Sequence, residues 1–146
     1  MNDKNICKFI SETATDKLEV ARFIFESNSE TMKEERTVRE NRITLVKQGK
    51  GKIVIDGVAH AVEPGSLIFV FKDEKMYMTP EETMEYMYID FSGSRSESLF
   101  SRFGINKSNR IFRGYDGLIP MWHDSLCRAN EINIDLEQLT GINKIE

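Results

Sequence analysis

The side chains able to do chemistry are few and scattered. The chain holds two histidines, His60 and His123, and two cysteines, Cys7 and Cys127. A protein zinc site needs three or four nitrogen, sulfur or carboxylate ligands at close spacing, and these four residues offer no such run. No Gly-x-Ser-x-Gly elbow is present, and neither cysteine sits in a nucleophile signature. No glycine-rich loop opens a helix in the form that holds phosphate. His123 and Cys127, four apart, share one side of a helix and read as a structural pair. Glu85 and Asp90 fall on opposite faces of one strand, so they cannot work as paired acid and base. Recognition is left rather than catalysis, with no catalytic residue, metal or cofactor expected. Tyr86 and Tyr88 project from one strand face and offer rings and hydroxyls. Met78 on a neighbouring strand adapts to irregular shapes. Arg36, near the end of an early strand, can supply a charged anchor, and His60 is the remaining polar candidate. These residues either line a ligand pocket or simply fill the core.

The elements that must position them are concentrated in residues 43–93. Short apolar runs recur there, each broken by Gly, Pro, Asp or a charge cluster, the pattern of an antiparallel sandwich or barrel. Asp56-Gly57 is a strong hairpin signal and pairs Ile55 with Val58 and Ile53 with His60. Ile53, Ile55, Val58, His60 and Val62 then share one face, apolar apart from His60. Glu63-Pro64-Gly65-Ser66 predicts a second turn. Leu67–Phe71 is apolar throughout and predicts a strand covered on both faces. Gly49 and Gly51 mark a bulge or tight turn, residues 72–75 a charged turn, and Met76–Thr79 a short strand. Met84–Ser92 carries Met84, Tyr86, Tyr88 and Asp90 on one face and Glu85, Met87, Ile89 and Phe91 on the other. Upstream, residues 18–26 predict a strand, 27–31 a loop and 32–36 a short strand. Residues 1–17 read as a polar arm with apolar anchors at Ile6, Phe9 and Ile10.

After residue 93 the period changes. Ser94 and Glu97 fit a capping box, and Gly104 stops that helix. Residues 106–115 are a connector with a short extended piece at Arg110–Phe112. A second helix over residues 116–130 carries a stripe of Leu118, Met121, Trp122 and Leu126, with Pro120 in its first turn. That stripe packs on the barrel or forms part of a dimer seam. A third helical pattern begins at residues 132–140.

The run GKGKIVIDGVAHAVEPGSLIFV (residues 49–70), followed about twenty residues later by YMYIDFSG (residues 86–93), resembles the N-terminal sensor domain of AraC-type transcription regulators. The resemblance covers roughly residues 35–104. It implies a mainly β, cupin-like double-stranded barrel (jelly roll) over residues 18–93, then a helical segment over 94–146, with an arm at 1–17 that can lie over the pocket. It implies effector binding inside the barrel, at positions matching Tyr86, Tyr88, Met78 and Arg36. It also implies homodimerisation mainly through the last helix, cut short here, and contact with DNA through a helix-turn-helix domain that this chain does not contain. Cupins are commonly metal enzymes, but Lys75, Met76 and Tyr77 stand where a second-motif histidine is expected. The alternatives are a standalone metal-dependent cupin enzyme using His60, and a ligand-free dimerisation domain.

Composition agrees with one ordinary domain. The chain has 146 residues, 40% of them hydrophobic, and a formal net charge of −4, which does not suit binding nucleic acid through its own surface. Residues 30–52 differ, with seven Lys or Arg against four Glu. They read as a solvated barrel rim, or as the source of an arginine that reaches an anionic or hydroxyl-rich ligand. No stretch has the length of a membrane span and no signal-peptide core opens the chain, so a cytoplasmic protein with two free thiols is expected.

Overall fold

The structure, a computed structural model, describes residues 18–128. The arm at 1–17 and the helical pattern at 132–140 lie outside the described residues. Two antiparallel sheets face each other. Strands β1 (Glu19–Glu26), β3 (Asn41–Gln48), β6 (Leu67–Val70), β8 (Glu85–Ser92) and β9 (Ile111–Phe112) form one sheet in the order β1-β8-β3-β6-β9. Strands β2 (Arg36–Thr37), β4 (Gly51–Ile55), β5 (Val58–Val62) and β7 (Lys75–Pro80) form the other in the order β2-β7-β4-β5.

The β4–β5 hairpin has the register that Asp56-Gly57 predicts, with Ile55 opposite Val58 and Ile53 opposite His60. Both turn residues have positive φ, 47° at Asp56 and 82° at Gly57, the requirement of a primed turn whose twist matches its strands. Val58, at the tip, is 57% exposed, because the apolar face runs out of covering sheet there. In the next turn Gly65 takes φ 87°, and the Ser66 N–H donates to the Glu63 carbonyl at 2.9 Å. The Ser66 hydroxyl accepts from the Glu63 N–H at 3.0 Å.

The core is built by period two. Ile53, Ile55, Met76 and Met78 face inward from one sheet, and Val46, Ile68, Val70, Tyr86 and Tyr88 from the other. β6 is covered on both sides, as its unbroken apolar run requires. Ile68 and Val70 join the core, while Phe69 points outward to edge-on contacts with Phe100 and Phe112 at 6.1 and 5.8 Å.

Helix α2 (Arg95–Arg102) closes this outer face, with Phe100 also against Phe71 and Phe91 at 5.0 and 5.9 Å. Its end is a Schellman motif. The Ile105 N–H donates to the Phe100 carbonyl, the Gly104 N–H to the Ser101 carbonyl, and Gly104 has φ 67°. Its start departs from the capping box. Ser94 has helical angles (φ −62°, ψ −23°), and its side chain makes no cap hydrogen bond to the helix. A third helix, α3, covers residues 118–128. Trp122 meets Phe23 of β1 edge-on at 5.8 Å, so this residue of the stripe packs on the barrel's outer face. Met121 departs from the stripe and is 61% exposed, while Leu118 and Leu126 are half-buried.

Residues 27–36 also depart from their expected loop and strand. Helix α1 (Ser29–Met32) forms because the Asn28 side-chain carbonyl accepts from the N–H groups of Glu30 and Thr31. Met32 plugs the core from it, and β2 keeps only Arg36 and Thr37. Gly49 has φ 84°, and a side chain there would run into the Thr83 carbonyl. Gly49→Ala is therefore expected to cost at least about 2 kcal/mol, combining left-handed strain with a backbone clash. A drop in urea midpoint at unchanged slope would show it.

Candidate functional site

Inside the barrel, β3 and β8 bring a polar row to an otherwise apolar face. Arg42 lies opposite Asp90, Thr44 opposite Tyr88, and Val46 opposite Tyr86. Because directly opposed residues share a face, all six look inward. β1 adds Arg22, Ile24 and Glu26 opposite Asp90, Tyr88 and Tyr86.

Asp90 is fully buried. Arg42 grips it with two parallel bonds, Nε to Oδ1 at 2.7 Å and Nη2 to Oδ2 at 3.0 Å. Arg22 Nη1 adds a third donor at 2.9 Å and lies 3.7 Å from Glu40, so two cations and two carboxylates balance. The Arg42 guanidinium stacks on Tyr88, 3.8 Å from the ring centre. Its Nη1 reaches across the sandwich to the Met76 sulfur at 3.7 Å, a weak acceptor for a buried cation. Thr44 is fully buried and its Oγ1 has no hydrogen-bond partner. An unsatisfied buried hydroxyl costs about 1–3 kcal/mol.

Tyr86 and Tyr88 are buried, with ring centres 6.3 Å apart, and join Met78 in the core cluster. Burial, and next the Glu26 carboxylate, push the Tyr86 hydroxyl far above its ordinary pKa, against the smaller opposing pull of Arg42 and Arg36. The phenol therefore stays protonated and able to donate throughout the physiological range.

The structure thus brings together Tyr86, Tyr88 and Met78. Arg36, on β2, lies opposite inward-facing Met76, half-exposed, with Nη2 donating to the Thr31 carbonyl at 2.8 Å and its charge reaching Tyr86. Arg42 is the arginine stacked on the Tyr88 ring. His60 lies elsewhere, on edge strand β5 in a groove with residues 107–111 and Arg113. Sequence reasoning missed the Arg42–Asp90 pair and Thr44. A signal was present, since a carboxylate in phase with Tyr86 and Tyr88 needs a cation from a facing strand, and Arg42 has the right phase on β3.

A second buried ion pair was also missed. Glu74, read as part of a charged turn, is 3% exposed. It accepts two parallel bonds from Arg110 at 2.8 Å each and a third from the Phe71 N–H at 2.7 Å. Among the described residues no group of three or more His, Cys, Asp or Glu is placed to hold a metal ion, and no helix is long and apolar enough to cross a membrane. Cys127 is a free, exposed thiol.

The two facing antiparallel sheets form a mainly β, cupin-like barrel. The family model described as AraC-like ligand binding domain matches residues 29–142, and the chain belongs to that family. No curated protein sequence matches it. Among solved structures, the EutQ protein of Clostridium difficile is 25% identical, over 41% of this chain and 48% of its own, with TM-score 0.37. The cupin domain of Cnp3 from Schizosaccharomyces pombe is 14% identical over 51% and 55%, with TM-score 0.38. ToxT from Vibrio cholerae, bound to (E)-4-(8-methylnaphthalen-1-yl)but-3-enoic acid, is 13% identical over 88% and 49%, with TM-score 0.38. The chain spans about half the length of each of these structures.

Proposed function

We propose that the chain is the effector-sensing half of an AraC-type transcription regulator, with a small molecule held inside the barrel. The observation that carries this reading is the inward polar row. A barrel that needed only a core is better filled with aliphatic side chains, because buried ion pairs often add no stability over apolar residues of similar size. Here an arginine, an aspartate, a threonine hydroxyl without a partner and two tyrosines look into one interior. In this reading the effector packs on Tyr86, Tyr88 and Met78 and meets a hydrogen-bonding group on Thr44 Oγ1 or Arg42 Nη1. Binding biases the position of the outer helices, and so of a DNA-binding domain elsewhere in the full protein. That is a population shift, and it requires the effector to prefer one of two arrangements. The full regulator pairs as a homodimer in the cytoplasm, with exposed Val20, Phe103 and Met121 available to the contact.

A thermal melt against sugars, organic acids, amphiphiles and divalent metals tests this. A ligand at a hundred times its Kd stabilises the folded state by about 2.7 kcal/mol, which is several degrees. The expected result is a shift with one organic class, reduced in Thr44→Val or Tyr88→Leu. A shift only with a transition metal, lost on chelation, would favour a cupin enzyme instead. No shift with any organic class would leave the barrel a packed core that joins subunits.

A further inference from the structure

The two sheets leave a seam where edge strand β5 faces β9. A groove of about 220 Å³ runs along it, lined by His60 and Ala61 on one side and by residues 107–111 and Arg113 on the other. Its cations outnumber its anions. Lys107, Arg110 and Arg113 stand in the wall, and Glu74 neutralises Arg110 from behind. Lys107 Nζ is 3.8 Å from Glu74, and its side chain is 69% exposed. Arg113 spends one N–H of its fork on the Ala61 carbonyl at 2.6 Å, which fixes the guanidinium over the groove and leaves other donors. Two positive charges are thus in excess, in a chain whose net charge is −4.

The wall is also rigid. Asn106 and Asn109 exchange two backbone hydrogen bonds at 3.0 and 3.2 Å. The Ser108 N–H donates to Asn106 Oδ1 at 2.9 Å, and Asn109 Nδ2 donates to the Gly104 carbonyl at 2.8 Å. Lys107 and Ser108 are therefore presented on a formed turn, without an ordering cost on binding. The field reaches His60, whose pKa lies below its ordinary value through burial first, then Arg110 and Arg113.

We propose that this seam is a second binding site, separate from the barrel interior, for a small dianion of the phosphate or dicarboxylate type, held by Lys107, Arg113 and the Ser108 hydroxyl. An arginine fork matches the oxygen spacing of either group, and lysine adds a point charge. The neutral His60 imidazole offers a further N–H. An anion bound beside it opposes the field of Arg110 and Arg113 and raises the His60 pKa.

The test is an NMR titration of the whole chain with inorganic phosphate, and separately with malonate, at constant ionic strength. Saturable shifts are expected at His60 and residues 107–113, with a higher His60 pKa in the bound state. The Lys107→Gln/Arg113→Gln variant is expected to bind at least about tenfold more weakly, the scale of losing charge-assisted bonds. Both substitutions are at exposed side chains, and an unchanged melting temperature confirms that the variant is folded. Tighter phosphate binding assigns a phosphoryl ligand, and tighter malonate binding a carboxylate one. Shifts that rise linearly with either anion without saturating, or that persist unchanged in the double variant, would overturn the site.

Discussion

Asp90→Ala is expected to lower the melting temperature by roughly 10–15 °C, the equivalent of about 3–5 kcal/mol lost when one partner of a buried ion pair is removed. Asp90 is fully buried, and the Arg42 side chain is 7% exposed. Without the carboxylate, Arg42 Nε and Nη2 lose both acceptors in a space whose other contacts are the Tyr88 ring and the Met76 sulfur. Arg22, with its side chain 45% exposed, can turn to water or to Glu40. Arg42 cannot, so the cost falls on that residue. A double variant, Arg42→Met with Asp90→Leu, is expected to recover much of the loss, because it removes both charges and restores apolar volume. Calorimetric melts of the four proteins give the coupling directly. A double variant as unstable as the sum of the singles would mean that the pair's neighbours, not the pair, set the cost.

Glu74→Ala is expected to cost a similar amount, about 3–5 kcal/mol, for the same physical reason. Its consequences differ in place. Arg110 would keep only the carbonyls of Lys107 and Phe69, at 3.2 and 3.3 Å, and the Phe71 N–H would lose its acceptor. Glu74 ties the segment after α2 to the end of β6, so its loss frees β9 from the sheet. Amide hydrogen exchange is expected to rise at residues 109–112 and at Phe71, well before exchange in the β4–β5 hairpin changes. A uniform rise across both sheets would contradict this anchoring role. Glu74→Gln keeps the volume but turns an amide N–H₂ toward one guanidinium nitrogen, so it is expected to be only slightly milder.

These pairs mark the border between what the chain tells locally and what only the fold assembles. The β4–β5 register follows from Asp56-Gly57, and the 63–66 turn from Pro64-Gly65, because a two-residue loop or a positive φ leaves little choice. The inward face of β8 follows from period two alone. The partners of its charged residue do not. Arg42 and Asp90 are 48 residues apart, and Glu74 and Arg110 are 36 apart. Periodicity gives each side chain a face, but strand order decides which faces meet. Arg36 and Arg42 both belong to the basic stretch, and strand order sets Arg36 opposite Met76 in one sheet and Arg42 opposite Asp90 in the other. His60 shares a face with Ile53, yet β5 is an edge strand, and the side chain opens onto the seam rather than the tyrosines. Local competition accounts for the rest. Asn28 caps a helical turn where loop and strand were expected, and Ser94, at helical angles, makes no cap hydrogen bond from its side chain.

Thr44→Val bears most directly on effector binding inside the barrel. The change keeps the side chain's shape and removes the Oγ1 that has no partner. If that hydroxyl waits for a ligand, the free variant is expected to be more stable by about 1–3 kcal/mol. Its thermal response to the organic class that stabilises the wild-type chain would fall at least about tenfold in apparent affinity, the scale of one lost buried hydrogen bond. A variant that melts higher but responds to the ligand as the wild type does would contradict binding at Thr44, and with it the assignment of the inward polar row as the effector site.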